Sequence, residues 1–324
     1  MIPLSATTSG TAEHPTVGIV LVNYNSYADT AACIESLKLV TYPSYRVVVV
    51  HNGCVDGSPA RLLADFPGVH QITSNTNLGF SLANNLGIEW LKENGAEHFL
   101  LLNNDTIVTP GFLEPLVARL HSDPKIGAVA PKIYYTDAAY HGQHHVIWYA
   151  GSFRKWHGGF HHTGVMEVDT GKYDVAKQVP YASGCSILMR GDLVRKYGGL
   201  AEDYFLYWEE ADWCHRVAAH GFISYYEPKS IIYHDFKSAQ HGNETALYMY
   251  LQARNAFIFA QKHYHGLDKV RFVLFYPIYL FYRFLFELRH KNIRGAKSLV
   301  LGVFDGLRGR KGIEYLKNRG FVIT

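Results

Sequence analysis

Cysteine is scarce in this chain of 324 residues: Cys33, Cys54, Cys185 and Cys214 stand far apart with no C-x-x-C pair. That spacing suggests neither a disulfide framework nor a zinc knuckle, and it fits a reducing compartment best. Charge is also modest, at 18% of residues, and the formal net charge is only +3. The longest purely apolar run near the C-terminus, Phe272 to Tyr282, has 11 residues with Pro277 inside it, too few to span a bilayer. The first fifteen residues lack the basic-then-apolar layout of a signal peptide and read as a loose tail. No Gly-x-Gly-x-x-Gly or Gly-Lys-Ser/Thr follows the first apolar run, which argues against a dinucleotide dehydrogenase or a P-loop NTPase.

What is abundant is aromatic: 23 Tyr and 18 Phe. Aromatics suit carbohydrate platforms and membrane interfaces, and they also fill cores. The small net charge conceals an asymmetry. From Arg254 onward there are 14 Lys and Arg against 4 Asp and Glu, so an acidic body carries a basic tail that suits an anionic partner.

The body alternates strand and helix at short spacing. Strands are expected at 17–22, 46–50, 69–73 and 98–102, with helices at 27–39, after Ser58 to about Ala64, and at 81–93. This alternation is the mark of a parallel, doubly wound α/β sheet. Each strand ends in polar or glycine residues, and in open α/β sheets ligands bind at that carboxyl edge. The run His98 to Leu102 reads as a central strand delivering Asn103, Asn104 and Asp105 to the edge, where a carboxylate can hold a hard cation against a phosphate. The plainer alternative is a turn and helix cap. Further on, a helix is expected at 111–120, a strand at 127–130 and an irregular stretch at 134–173. Strand character returns at 179–190, a short helix follows at 192–197, and two short strands are expected at 222–226 and 231–233. Several histidines of the irregular stretch (His141, His144, His145, His157, His161, His162) lack metal-ligand spacing and suit an acceptor loop better than a zinc site.

Six motifs occur in a fixed order: Val-Asn-Tyr-Asn from Val22, Asn-Gly-x-x-Asp-Gly-Ser from Asn52, Asn-x-Gly-Phe from Asn77, Leu-Leu-Asn-Asn-Asp from Leu101, Ser-Gly-Cys from Ser183, and Phe-Leu-Tyr-x-Glu-x-x-Asp-x-Cys-x-Arg from Phe205. Each is weak alone, but together they are specific. From about Val17 to His234 the chain resembles glycosyltransferase family 2, most closely its bacterial rhamnosyltransferase-like branch. The resemblance implies a GT-A fold, a doubly wound mixed sheet here extended by C-terminal helices. It implies a nucleoside-diphosphate sugar donor, dTDP-rhamnose-like or UDP-linked, and Mg²⁺ or Mn²⁺ bridging its phosphates. The acceptor would be a glycan or lipid-linked saccharide.

On that resemblance, Tyr24 would stack on the base, with Asn25, His51, Asn52, Asp56, Asn84, Asn103 and Asn104 around the nucleotide. Asp105 and His234 would hold the metal, Glu210 would be the catalytic base, and Gly184, Trp208 and Glu209 would lie near the sugars. Three positions depart from the family pattern. His51 replaces the aspartate that reads a pyrimidine imide, Asn103 replaces the first metal-side aspartate, and Glu210 replaces a shorter aspartate base.

One base with no nucleophilic carboxylate predicts inversion at the anomeric carbon. Asp212 and Arg216, four apart, suit a structural pair. A noncatalytic nucleotide-sugar or glycan-binding protein of the same fold stands as the alternative. The expected layout is a tail over 1–15, a catalytic domain over 16–240 and a basic aromatic helical extension over 241–324. The extension suits the interface of an anionic membrane, which implies a cytoplasmic protein peripheral to the inner face of the cell membrane. Packing on the domain, or a homodimer contact, is the competing role.

Overall fold

The computed structural model describes residues 14–136, 145–235, 244–319 and 321. Most of the expected N-terminal tail, and His141 and His144, lie outside the described residues. Val17–Asn23 (β1), Tyr45–Asn52 (β2), His70–Ser74 (β3) and His98–Asn103 (β4) alternate with helices Tyr27–Leu37 (α1), Ser58–Asp65 (α2) and Gly79–Glu93 (α3). β1 lies parallel between β2 and β4, and β3 adds outside β2. Val47 to Val50 and Phe99 to Leu102 are buried throughout. Helices on both faces leave no polar side for such strands, hence their unbroken apolar runs.

The chain continues through Thr106–Val108 (β5), Leu113–Ser122 (α4), Ile126–Tyr135 (β6), Ile147–Tyr149 (β7), Ser152–Arg154 (β8), Phe160–His162 (β9), Lys177–Val179 (β10) and Ser186–Met189 (β11). Gly191–Tyr197 (α5), Glu209–Ala218 (α6) and Ile223–His234 (β12) follow. The sheet runs β10-β12-β6-β11-β4-β1-β2-β3, with β5 on β12 and β7 on β6, while β8 and β9 form a separate hairpin. Because β11 runs antiparallel to both β4 and β6, the sheet is mixed.

Two expectations need correction. The stretch expected to be irregular contains β7 and the β8–β9 hairpin, strands too short for their alternation to stand out among Gly and His. The two strands expected at 222–226 and 231–233 are one strand, β12, whose register against β6 shifts between Glu227 and Ile231. Pro228 sits in that shift, as expected of a residue that cannot donate to a ladder.

The extension comprises Glu244–His263 (α7), Gly266–Arg289 (α8), Ile293–Leu307 (α9) and Ile313–Asn318 (α10). α7 and α9 pack backbone against backbone: a Cβ on Gly302 would stand 2.3 Å from the Tyr250 carbonyl oxygen. Among the described residues no helix is long and apolar enough to cross a membrane.

Candidate active site

The carboxyl edge of the sheet is tied together by side chains. Asn23, fully buried at the end of β1, donates to His51 Nδ1 at 3.1 Å and to Ser58 Oγ at 2.8 Å, and accepts from Ser26 N at 3.1 Å. It therefore joins β1, the end of β2 and the start of α1. Since His51 Nδ1 accepts, the ring proton sits on Nε2, which faces Gln71 Oε1 at 2.7 Å. Burial pushes the His51 imidazole below its ordinary value, against a smaller upward pull from Gln71, so the ring is held neutral. Gln71 Nε2 remains a buried donor without a hydrogen-bond partner.

The other expected nucleotide residues surround this edge. Tyr24 is 39% exposed, available as a flat surface. Asn25 adopts φ 51° and accepts from Val55 N at 2.8 Å, holding the loop after β2. Asn52 accepts from Leu78 N at 2.7 Å and so draws the start of α3 toward β2. Asp56 accepts from Ser58 N at 3.0 Å and is exposed. Asn84 is buried in α3, its amide donating to Phe80 O at 2.9 Å. Asn104 donates to Thr30 Oγ1 at 2.8 Å, and the backbone N–H of Asn103 donates to Cys185 O at 2.8 Å.

Asp105 and His234 meet because β5 pairs with β12 in a register that sets Thr106 opposite His234. His234 Nε2 lies 3.1 Å from Asp105 Oδ1, and the two chain segments are fastened by Asp235 N donating to Asp105 O at 2.9 Å. Burial would lower the His234 imidazole, but Cys185 and Asp105 outweigh it and hold it well above the ordinary value. Asp105 Oδ1 is buried and makes no aligned hydrogen bond, and Trp148 stands edge-on to the His234 ring at 4.7 Å.

A divalent cation could take the place of the imidazole proton between these two atoms, since His234 Nε2 ligates only when that proton has left. Two ligands about 2.1 Å from one octahedral centre and at right angles are about 3 Å apart, close to the separation seen. Among the described residues no group of three or more His, Cys, Asp or Glu is arranged to hold a metal by itself. A two-ligand site completed by phosphate oxygens is the usual arrangement for a hard cation that bridges a substrate.

Glu209 and Glu210 open α6. The three residues before it that adopt left-handed backbone, Phe205 at φ 71°, Tyr207 at φ 71° and Trp208 at φ 79°, all carry large side chains for which that conformation is costly. The extension holds this strained loop in place. Asn255 of α7 donates to Leu206 O and Tyr207 O, each at 2.8 Å, and the buried Arg254 donates to Tyr204 O at 2.5 Å. Gly79, at φ 78°, completes the clamp, since any Cβ there would stand 2.4 Å from the Phe205 ring. Trp208 is itself largely buried. Its indole N–H donates to Gln252 of α7 at 2.9 Å and its ring packs on Phe160 and Phe259, so it joins the loop, the β8–β9 hairpin and the extension.

The two glutamates differ in setting. Burial and the adjacent Glu210 charge push Glu209 well above the ordinary carboxylate range. Burial also raises Glu210, but the backbone N–H groups of Glu210, Ala211, Gly184 and Trp208 pull against it. Glu210 is thus the member of the pair favoured as carboxylate, with Oε2 lacking a hydrogen-bond partner. Asp212 points elsewhere. It is bound by Arg216 at 2.8 Å, Lys262 at 2.6 Å, His263 at 2.8 Å and Tyr204 at 2.9 Å, so the expected Asp212–Arg216 pair is one part of a junction between α6 and α7.

The acid and the candidate metal ligands share a neighbour. A Cβ on Gly184 would lie 3.5 Å from the Glu210 carboxyl carbon, and the next residue, Cys185, interacts with His234. One dipeptide therefore separates Glu210 from the Asp105–His234 pair. The family model for glycosyl transferase family 2 matches residues 18–198. The chain belongs to this family.

Among curated relatives, an N-acetylglucosaminyl-diphospho-decaprenol L-rhamnosyltransferase of Mycobacterium tuberculosis is 24% identical over 268 residues, covering 76% of this chain and 85% of that protein. The dTDP-rhamnosyl transferase RfbF of Shigella flexneri is 24% identical over 302 residues, covering 90% and 96%. These matches make the chain a rhamnosyltransferase-like member of family 2. A mannosyltransferase from Pyrobaculum calidifontis, solved with GDP-Man and Mn²⁺, superposes with a TM-score of 0.56 at 13% identity, covering 94% of this chain and 88% of that one. The fold is GT-A with a helical C-terminal extension.

Sequence reasoning missed Asn23, Gln71, Arg254 and Asn255. Arg254 and Asn255 did leave a signal: with Gln252 they are the three polar side chains in the largely apolar helical stretch Met249 to Ala260.

Proposed function

We propose that this glycosyltransferase is an inverting, metal-dependent hexosyltransferase acting in cell-envelope polysaccharide synthesis. It moves a sugar from a dTDP-rhamnose-like or UDP-linked donor to a glycan or lipid-linked saccharide at the inner face of the cell membrane. The observation that carries this reading is the flanking of Gly184–Cys185 by Glu210 on one side and by the Asp105–His234 pair on the other. The named substrates of the two rhamnosyltransferase relatives support the donor and acceptor classes.

In this reading residues 16–240 form the catalytic part and 241–324 the extension. Tyr24 stacks on the base, and His51, Asn52, Asp56 and Asn84 shape the nucleoside pocket together with Asn25. Asn103 and Asn104 set the turn that presents Asp105 to the diphosphate. Asp105 and His234 would hold Mg²⁺ or Mn²⁺, which when bound offsets the charge that develops on the departing nucleoside diphosphate. Glu210 takes the proton of the attacking hydroxyl, with Gly184, Glu209 and Trp208 walling the sugar side. Because burial and the neighbouring charge raise Glu209 further than Glu210, Glu210 is the one of the two favoured as the carboxylate. An unpaired carboxylate oxygen at Glu210, like that at Glu209, is costly to keep without a ligand, which weighs against a purely structural role.

The test is proton NMR of the disaccharide formed from a nucleoside-diphosphate sugar panel with Mn²⁺. A product whose anomeric configuration is opposite to that of the donor supports the reading. Retention, or no transfer from any donor, contradicts it.

A further inference from the structure

The β8–β9 hairpin reaches from the candidate active site to the extension. At one end Phe160 packs on Trp208, next to Glu209, with ring centroids 5.6 Å apart. Arg154 is the cross-strand partner of Phe160. At the other end the hairpin meets α8: His157 stacks on Tyr279 at 4.4 Å, and Gly158 accepts a hydrogen bond from Tyr264. Between hairpin and helix lies a cavity of about 480 Å³ lined by Arg154, Lys155 and Trp156 on one side and Ile278, Tyr279 and Tyr282 on the other.

Two cations in this cavity are incompletely matched. Arg154 gives Nη1 to Asp268 at 2.7 Å and lies over the Tyr264 ring at 4.3 Å, and its buried Nη2 makes no hydrogen bond. Among the described residues Lys155 has no carboxylate partner. Burial lowers the Lys155 amine below its ordinary value and nearby Arg283 lowers it further, and an anion brought to this place would favour its charged form against both.

Ile278 and Tyr282, which line the cavity, also belong to the exposed apolar residues of α8. Val270, Leu274, Ile278, Phe281 and Leu285 recur at intervals of three and four on the outer face of α8, all exposed. Val300, Phe304 and Leu307 of α9 are exposed as well. The acids of these two helices are already engaged: Asp268 with Arg154, Glu287 with Arg283, and Asp305 with Arg319. Arg271, Arg289, Lys291, Arg294 and Lys297 are exposed on or beside the same two helices. An exposed apolar face with unopposed positive charge complements an anionic lipid surface rather than a second copy of itself, whose like charges would oppose it.

We propose that the cavity between the β8–β9 hairpin and α8 binds the phosphate or diphosphate end of a membrane lipid. The lipid chain lies along the exposed face of α8. Arg154 and Lys155 take the phosphate, and the aromatic rings of Tyr279, Tyr282 and Trp156 take the first part of the chain. The assignment rests on the glycosyltransferase reading only in giving this lipid a purpose: the hairpin would then hold the lipid end of an acceptor a few residues from Glu210.

The test uses the full chain in flotation with three vesicle types: phosphatidylcholine alone, phosphatidylcholine with phosphatidylglycerol, and phosphatidylcholine with a polyprenyl monophosphate at matched surface charge. The wild type is expected to bind the third best. Lys155→Ala should remove that excess, so that flotation with the polyprenyl monophosphate falls to the level of the phosphatidylglycerol vesicles, while the general loss of one charge near the surface, roughly fivefold at most, applies to both. Ile278→Asp should weaken binding to both charged vesicles. Equal flotation with the two charged vesicles, or wild-type flotation of Lys155→Ala, overturns the proposal. So does a stable dimer that Ile278→Asp dissociates, or a Lys155-dependent thermal shift with pyrophosphate alone as large as that with the polyprenyl phosphate. Stabilisation by a nucleoside diphosphate with Mn²⁺ is measured on the same samples and should persist in Lys155→Ala. Its absence from the wild type counts against the glycosyltransferase reading, whereas loss of the flotation excess counts against the cavity alone.

Discussion

His234 Nε2 lies 3.1 Å from Asp105 Oδ1 although 128 residues separate them in the chain, and the β5–β12 register is what brings them together. If this pair holds the cation, Asp105→Ala and His234→Ala should each abolish the Mn²⁺-dependent part of nucleoside-diphosphate binding in calorimetry. Transfer should fall ~10²–10³-fold, the usual cost of losing one stabiliser of developing charge. Metal-dependent binding equal to wild type in both variants would show that the cation sits elsewhere.

Glu209 bears on stability through pH. Its folded value is raised, so the stability tied to its protonated form is complete below the unfolded value near 4.5 and is lost as pH rises through the folded value. Glu209→Gln keeps a neutral group at every pH. The difference in melting temperature between Glu209→Gln and wild type should therefore become more positive from acid to alkaline pH. A constant or shrinking difference would contradict the burial of this carboxyl.

Asp212 has the opposite sign. Burial alone would raise it, but His263, Lys262 and Arg216 hold it well below the usual carboxylate range, so its contribution is present above the unfolded value and lost only in strong acid. Asp212→Asn leaves those cations facing a neutral amide and should cost ~3–5 kcal/mol near neutral pH. Urea unfolding at neutral and strongly acid pH measures it, and the gap between variant and wild type should close in acid.

Asn255 acts on the acid loop at a distance. Its amide holds the carbonyls of Leu206 and Tyr207, which precede the glutamates by only a few residues. Asn255→Ala should lower kcat by a larger factor than it raises the donor KM, because the carbonyls it holds lead directly into the glutamates and reach the nucleotide residues only through Gly79. Stability should fall by ~1–3 kcal/mol, the cost of leaving buried carbonyls unpaired. An increase in donor KM with unchanged kcat would assign Asn255 to substrate binding instead.

How much of this was legible beforehand depended on how local the signal is. The central strands announce themselves because Val47 to Val50 and Phe99 to Leu102 are buried on both faces, and burial on both faces leaves an unbroken apolar run. Asp105, Glu210 and His234 stand out by motif order. β5 did not, because three residues following Asn-Asn-Asp look like the end of a turn until β12 supplies a partner. Asn23 reads as an ordinary polar strand end, and its role emerges only when β2 and α1 converge on it. The clamp by Arg254 and Asn255 spans about fifty residues of chain, and its need arises from backbone strain at Phe205, Tyr207 and Trp208. No residue type requires such a φ, so composition carries no trace of it.

The account turns on Glu210 being the group that removes the acceptor proton beside the metal pair. The most direct measurement is the transfer rate of Glu210→Gln at saturating donor, acceptor and Mn²⁺. The account predicts a fall of ~10²–10⁴-fold with donor binding intact. A rate equal to that of the wild type would contradict it.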